Sequence, residues 1–201
     1  AFQEFEVRVI LYWRDPFQWL KSWYNQAQKA PHYMNNFFDY LVSLPDSYLD
    51  PTINFKYWAD AVGEANVVVS EYARSGRDHI QHFVSLCDRS SLTVEEFVGD
   101  PNPALDPAAM ERGRLKKILR TVPLTQAGPY YHSRLMADEQ QLVRMSERLT
   151  RLSEANEQFY QRHLGGVVVA PLSLERIIAC HDQIHSLDQV VMLTRRMLGG
   201  S

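Results

Sequence analysis

The feature that most constrains the fold is an apolar run at residues 7–13 (VRVILYW), followed directly by Arg14, Asp15 and Pro16. A continuous run of β-branched and aromatic residues is typical of a strand buried on both faces, as in a parallel sheet. Asp is a preferred helix N-cap, and Pro fits the first helical turn. The pattern therefore predicts a buried strand that leads at once into a helix over residues 16–29.

The same order recurs further along the chain. Asp50 and Pro51 predict a second helix, which ends at Gly63, a natural C-terminal cap. Residues 66–72 (NVVVSEY) predict a second buried strand, and residues 77–87 a helix. One face of that helix carries Ile80, Phe83, Val84 and Cys87. Alternating strands and helices favour an α/β fold, with the two strands parallel and neighbouring or nearly so, and helix 16–29 packed on the sheet.

The second half of the chain is predicted to be helical. Asp106 and Pro107 begin a helix that runs through Leu119, residues 133–164 form a long helix, and residues 173–198 form the last one. We therefore expect an α/β domain over residues 1–166 and a helical extension over residues 167–201.

Composition narrows the class of function. The net charge of −3 argues against a nucleic-acid binder that acts by neutralising phosphates. No apolar run approaches the roughly 20 residues that a membrane-spanning helix needs. Two distant cysteines predict no disulfide framework, which favours the cytoplasm. The sequence leaves the oligomeric state open.

Arg14 lies where ligands bind in open α/β sheets, beyond the carboxyl end of a strand and beside a helix N-terminus. Its planar guanidinium matches phosphate oxygens. One stripe of the following helix carries Gln18, Ser22, Asn25 and Lys29. Arg14 and Ser22 are therefore predicted to hold one phosphate group. The alternative is an Arg14–Asp15 ion pair and a serine without a role.

A resemblance to a known family extends this prediction. The string Arg14-Asp15-Pro16, with Ser22 eight residues after the arginine, is similar to the 3′-phosphate-binding motif of sulfotransferases that use 3′-phosphoadenosine 5′-phosphosulfate (PAPS). The segment VRVILYWRDPFQWLKSWYNQ most resembles bacterial sulfotransferase-like proteins, several of which act on surface carbohydrates. Further matches follow in the family's order, so the resemblance covers roughly residues 5–166. They include Tyr57-Trp58, Gly63, Glu71 to Arg74, Asn102 to Leu105, Asn156 and Phe159-Tyr160.

The resemblance implies a P-loop-NTPase-like sulfotransferase fold, partial in this chain. It also implies transfer of a sulfuryl group from PAPS to a hydroxyl of a carbohydrate-like acceptor, with Arg14 and Ser22 binding the donor. The family's fold begins with a strand and a phosphate loop that hold the 5′-phosphosulfate, and this chain has no Gly-rich loop ending in Lys-Ser/Thr. We expect either that the loop lies upstream, or that the domain is a non-catalytic binding or scaffold domain. A kinase or another P-loop-like transferase is the third alternative.

Other side chains are weaker candidates. His32 follows the Arg14 helix and is the candidate general base. Glu71 and Arg74 close the second strand and could line the rim of the site. The resemblance implies that the basic run at residues 112–117 (RGRLKK) could contact the 3′-phosphate or an acidic acceptor, because the family uses a late basic segment, although a solvated helix face is favoured.

The remaining aromatic and histidine residues favour structural interpretations. Trp13, Trp19, Trp23 and Tyr24 are expected to lie mainly in the core, with one ring free to stack on adenine or sugar. His181 and His185 have the i, i+4 spacing of metal ligands but no evident third ligand. A solvated helix face is therefore favoured for this pair, as a surface-facing helix is for His79 and His82, and no metal is predicted.

Overall fold

A computed structural model describes residues 6–72, 76–87, 103–122, 137–166 and 170–185. These residues form a mixed α/β structure that is mostly helical and contains a small two-strand parallel sheet. In the described ranges no helix combines the length and the apolar character that crossing a bilayer requires.

The two strands confirm the predicted pairing. Strand β1 (Val9–Trp13) pairs in parallel with β2 (Val67–Glu71). The register places Trp13 opposite Glu71, and the amide of Tyr72 donates to the carbonyl of Trp13 at 2.7 Å. Both carboxyl ends therefore lie at the same edge of the sheet, where Arg14 follows β1.

Three helices begin at the predicted Asp-Pro pairs. They are α1 (Pro16–Lys29), α3 (Pro51–Val62) and α5 (Pro107–Thr121). In each one the Asp carboxylate accepts a backbone N–H of the first turn, which satisfies a donor that the helix leaves unpaired. Helix α3 ends at Gly63, whose φ of 89° suits a residue without Cβ.

The other helices complete the chain order. Helix α2 (Phe37–Ser43) was not predicted, and α4 (Gly76–Leu86) follows β2. The predicted long helix is α6 (Glu139–His163), which ends before Gly165 and Gly166, both with positive φ. Residues 133–136 lie outside the described ranges. The last described helix is α7 (Leu174–Ile184), and the rest of the predicted helix 173–198 also lies outside them, apart from the capping residues Ser173 and His185.

The two faces of the sheet are covered by different helices. Trp13 packs against Phe159 and Tyr160 of α6, with Phe55 of α3 beside them. Tyr12 points to the opposite face, because neighbouring residues of a strand alternate, and its ring lies 4.1 Å from that of His79 in α4. The apolar face predicted for α4 is wrong in part, since Phe83 and Cys87 are exposed while the histidines face the sheet.

The prediction that helix α1 packs on the sheet is wrong. The apolar face of α1 does not lie on the strands, because α3, α4 and α6 cover them. Its face lies in a larger helical core. The buried members of this core are Phe17, Leu20, Tyr24, Phe37, Phe38, Tyr40, Leu41, Leu49, Met110, Met145, Leu149, Leu152, Leu172, Ile177, Cys180 and Ile184. Helix α7 therefore shares one core with α1 and α2.

Candidate functional site

A cleft of about 460 Å³ opens at the carboxyl ends of the two strands. Its lining consists of Trp13, Arg14, Asp15, Gln18, Glu71 and Tyr72. The parallel pairing creates this cleft, because it brings the residues that follow β1 next to those that end β2. The cleft thus lies where α/β sheets usually bind ligands.

The guanidinium of Arg14 lies over the ring of Tyr72, 5.3 Å from its centroid. The predicted alternative, an ion pair with Asp15, is not formed, because the Asp15 carboxylate caps α1 by accepting the Gln18 amide at 2.8 Å. Within the described ranges no hydrogen bond or ion pair engages the Arg14 guanidinium. Its donors therefore remain available to a bound anion.

Arg14 and Ser22 meet in a second cleft of about 410 Å³. The α1 residues on its wall are Gln18, Lys21, Ser22 and Asn25, and the opposite wall comes from α5, α7 and the segment before α5. The predicted stripe on α1 is thus confirmed for three of its members. The fourth, Lys29, donates instead to the carbonyl of Pro103 at 2.7 Å.

Asn25 fixes the far wall of the second cleft. Its side-chain amide donates to the carbonyl of Leu105 at 2.8 Å, and its oxygen accepts the Leu105 amide at 3.2 Å. Asn25 is buried, whereas Ser22 is half-buried and its hydroxyl makes no hydrogen bond to another described residue. The serine can therefore turn its hydroxyl to a ligand.

The charges lining the second cleft favour an anion. Among the described residues that line it, Arg14 and Lys21 are the ionised side chains and none is a carboxylate. Cys180 of α7 lies on the opposite wall of this cleft. Burial raises the pKa of its thiol, against a smaller opposing influence of Lys21. The thiol is therefore neutral near pH 7, and the cleft keeps a net positive charge.

His32 lies apart from this arrangement. It is exposed in the turn after α1 and lines neither cleft. The 14 residues of α1 span roughly 20 Å at 1.5 Å per residue, and they separate His32 from Arg14. The structure therefore brings Arg14 and Ser22 together, and leaves His32 at the other end of the helix.

The basic segment 112–117 is the solvated face that the sequence favoured only in part: Arg112 and Lys116 are exposed, but the other two cations are engaged. Arg114 is buried and paired with Glu111 at 2.6 Å. The Lys117 ammonium donates to the carbonyls of Gln28 and Ala30, at 2.8 and 3.0 Å, and so caps the end of α1. Arg114 is thus paired within α5, whereas Lys117 reaches its partners because α5 packs beside α1.

The histidine pair of α7 is also buried, which corrects the prediction of a solvated face. His181 and His185 are 0% and 1% exposed. His185 contacts the Glu111 carboxylate and the backbone amide of Phe37. In the described part of the chain, no three His, Cys, Asp or Glu side chains come together as metal ligands.

The histidines of α4 lie between helix and sheet. His82 lies between the hydroxyls of Tyr12 and Ser70, at 3.3 and 3.4 Å. Burial lowers the pKa of His79, with a further contribution from His82.

Of the two rim candidates, Glu71 lines the first cleft and accepts the Tyr160 hydroxyl at 3.3 Å, whereas Arg74 lies outside the described residues.

Sequence reasoning missed several residues of the site. Tyr72 had no pattern of its own, and Lys21 lies on α1 beside the predicted stripe. Leu105, Met110 and Ile184 join the cleft from distant segments that no local spacing could connect. Lys21 alone carried a usable signal, as a cation one residue before Ser22.

Comparison with known proteins gives no relative for this chain: no family model, curated protein or solved structure matches it.

Proposed function

We propose that the chain is part of a PAPS-dependent sulfotransferase that transfers a sulfuryl group to a hydroxyl of a carbohydrate-like acceptor. The observation that carries the proposal is that Arg14 and Ser22 line one cleft together with Lys21, and that none of the described residues of this cleft is a carboxylate. A phosphate there would receive the forked donors of Arg14, the charge of Lys21 and one hydroxyl donor. This set fits the 3′-phosphate that distinguishes PAPS from ordinary adenine nucleotides.

In the proposed reaction, the acceptor hydroxyl attacks the sulfur of PAPS and loses its proton. The bond between sulfur and the 5′-phosphate oxygen breaks, and 3′-phosphoadenosine 5′-phosphate leaves. Arg14 and Ser22 hold the end of the donor that does not react. Such remote binding orients the donor for transfer.

The experiment compares two nucleotides that differ in one phosphate group. We expect 3′-phosphoadenosine 5′-phosphate to bind more tightly than adenosine 5′-phosphate in isothermal calorimetry. Arg14→Ala should remove this difference by weakening the first nucleotide roughly ten- to a hundredfold, as expected for loss of a charge-assisted hydrogen bond. Ser22→Ala should act in the same direction but less, because a neutral hydroxyl forms a weaker bond.

Arg8→Ala is the matched control, because it removes an exposed arginine at the opposite end of β1. Equal losses for both nucleotides in Arg14→Ala would assign the arginine to the fold. The absence of nucleotide binding in the intact wild-type protein, with any upstream phosphate loop included, would favour a scaffold domain. Preference for nucleotides without a 3′-phosphate would favour a kinase-like transferase.

A further inference from the structure

Three aromatic side chains form a contiguous exposed surface, which we call the aromatic triad: Trp19, Trp23 and Tyr48. The ring centroids of Trp19 and Trp23 lie 5.2 Å apart, and the Tyr48 ring lies 5.8 and 6.3 Å from them. Trp23 is 48% and Tyr48 49% exposed. The prediction that both tryptophans lie mainly in the core is wrong for Trp23.

The helical core and an ion-paired turn hold the aromatic triad in place. Trp19 is partly buried and packs against the main helical core. Tyr48 ends a 3₁₀ turn (Asp46–Tyr48), whose Asp46 carboxylate pairs with Arg148 at 2.7 Å and with Arg151. A surface fixed in this way loses little conformational entropy when it binds a ligand.

The polar atoms of the triad decide which ligand suits it. In the described part of the chain, neither indole N–H nor the Tyr48 hydroxyl hydrogen-bonds to another residue. An apolar helix or a hydrophobic patch seated here would bury these donors unpaired, at a cost in free energy. The occupant should therefore offer apolar C–H groups to the ring faces and hydroxyl oxygens to the ring edges.

We infer that the aromatic triad binds a carbohydrate. One side of a pyranose ring presents C–H groups, which the negative face of an aromatic ring attracts, while the hydroxyls project around the rim. The triad combines three neighbouring aromatic rings with unengaged donors, and the Asp46 carboxylate beside it is already paired with Arg148 and Arg151. Its aromatic rings and unengaged polar edges therefore suit a sugar better than a peptide or a second copy of the chain.

The aromatic triad lies next to the second cleft on helix α1. Trp19 and Trp23 each follow a cleft residue, Gln18 and Ser22, and so lie about 100° further around α1. A sugar chain on the triad is thus held beside the cleft where the donor is proposed to bind. This link to an acceptor rests on the proposed function, whereas sugar binding itself does not require a nucleotide.

The test is the retention of protein on an array of defined oligosaccharides, without nucleotide. Wild-type protein should bind, and Trp23→Ala and Tyr48→Ala should each weaken binding to the best array sugar by roughly tenfold. Trp58→Ala is the matched control, since it removes a 39% exposed tryptophan from α3. Trp23→Ala and Tyr48→Ala change half-exposed side chains, and unchanged thermal unfolding of these two variants would confirm that their fold is intact.

Separate measurements distinguish this inference from the nucleotide proposal. Arg14→Ala should keep its sugar binding, and Trp23→Ala should keep its nucleotide binding. No binding of the wild-type protein to the array would overturn the inference, as would losses equal to that of Trp58→Ala. Self-association of the wild-type protein that Trp23→Ala abolishes in sedimentation velocity would also overturn it, because the triad would then be an interface between copies.

Discussion

His185 and Glu111 form a buried hydrogen bond of 2.6 Å between Nδ1 and Oε2. The other ring nitrogen, Nε2, lies 3.1 Å from the amide of Phe37, the first residue of α2. Because an amide N–H can only donate, Nε2 accepts and Nδ1 carries the proton that is donated to Glu111. The histidine thus connects α5, the end of α7 and the start of α2.

Glu111 also accepts two hydrogen bonds from Arg114, at 2.8 and 2.6 Å, and both side chains are buried. We expect Glu111→Gln to destabilise the fold by about 3–5 kcal/mol, because it removes the carboxylate that forms two hydrogen bonds and an ion pair with the buried Arg114. Urea-induced unfolding measures the change. Asp60→Asn, which breaks an exposed pair with Lys56, should cost less than about 1 kcal/mol. Similar costs for the two variants would contradict the prediction.

The same carboxylate gives the fold a dependence on pH. Burial alone raises the pKa of Glu111, but the hydrogen bonds from Arg114 and His185 outweigh it and lower the pKa from 4.5 to about 2. A carboxyl whose pKa is lower in the folded state stabilises the fold above its unfolded pKa, and this contribution disappears as protons bind. The difference in unfolding free energy between wild type and Glu111→Gln should therefore shrink as the pH falls from about 4.5 to 2. A constant difference over this range would show that Glu111 does not titrate as described.

Two glycines should respond oppositely to alanine. Gly113 lies inside α5, and a Cβ added there would meet nothing within 4 Å. Gly113→Ala should stabilise the fold by about 0.5–1 kcal/mol, because glycine is the poorer helix former. Gly63→Ala should destabilise it by roughly 1–2 kcal/mol, since the φ of 89° strains a residue with a Cβ. Thermal unfolding measures both, and changes of the same sign would contradict the argument.

Local chemistry made much of the fold predictable. The Asp-Pro pairs placed the starts of α1, α3 and α5 because capping depends on residues within one turn. Helix α2 carried a similar signal that was not used, an Asn36 side chain that accepts the Asp39 amide. The partner of α1 was predicted wrongly, because periodicity identifies the apolar face of a helix but not the surface it packs against.

In the site, too, the sequence predicted what local chemistry determines and missed what depends on distant residues. Arg14 and Ser22 share a cleft because both belong to one strand–helix junction, whose geometry the sequence determines locally. The buried role of His185 had no local signal, since its partner Glu111 lies 74 residues away. A pair of histidines one helical turn apart has the same spacing on a solvated face and in a core.

The last prediction concerns Tyr72, whose ring lies beneath the Arg14 guanidinium at 5.3 Å. If Arg14 binds the 3′-phosphate, as proposed, the ring positions it, since a cation over an aromatic face gains about 0.5–1 kcal/mol at exposed sites. Tyr72→Ala should therefore weaken 3′-phosphoadenosine 5′-phosphate roughly two- to fivefold in calorimetry, and adenosine 5′-phosphate less. Tyr72→Phe keeps the ring and should bind like the wild type, as should Tyr57→Ala, which removes an exposed tyrosine from α3. Equal losses in the Phe and Ala variants would assign the effect to the Tyr72 hydroxyl, and no loss in either would mean that Arg14 is oriented without the ring.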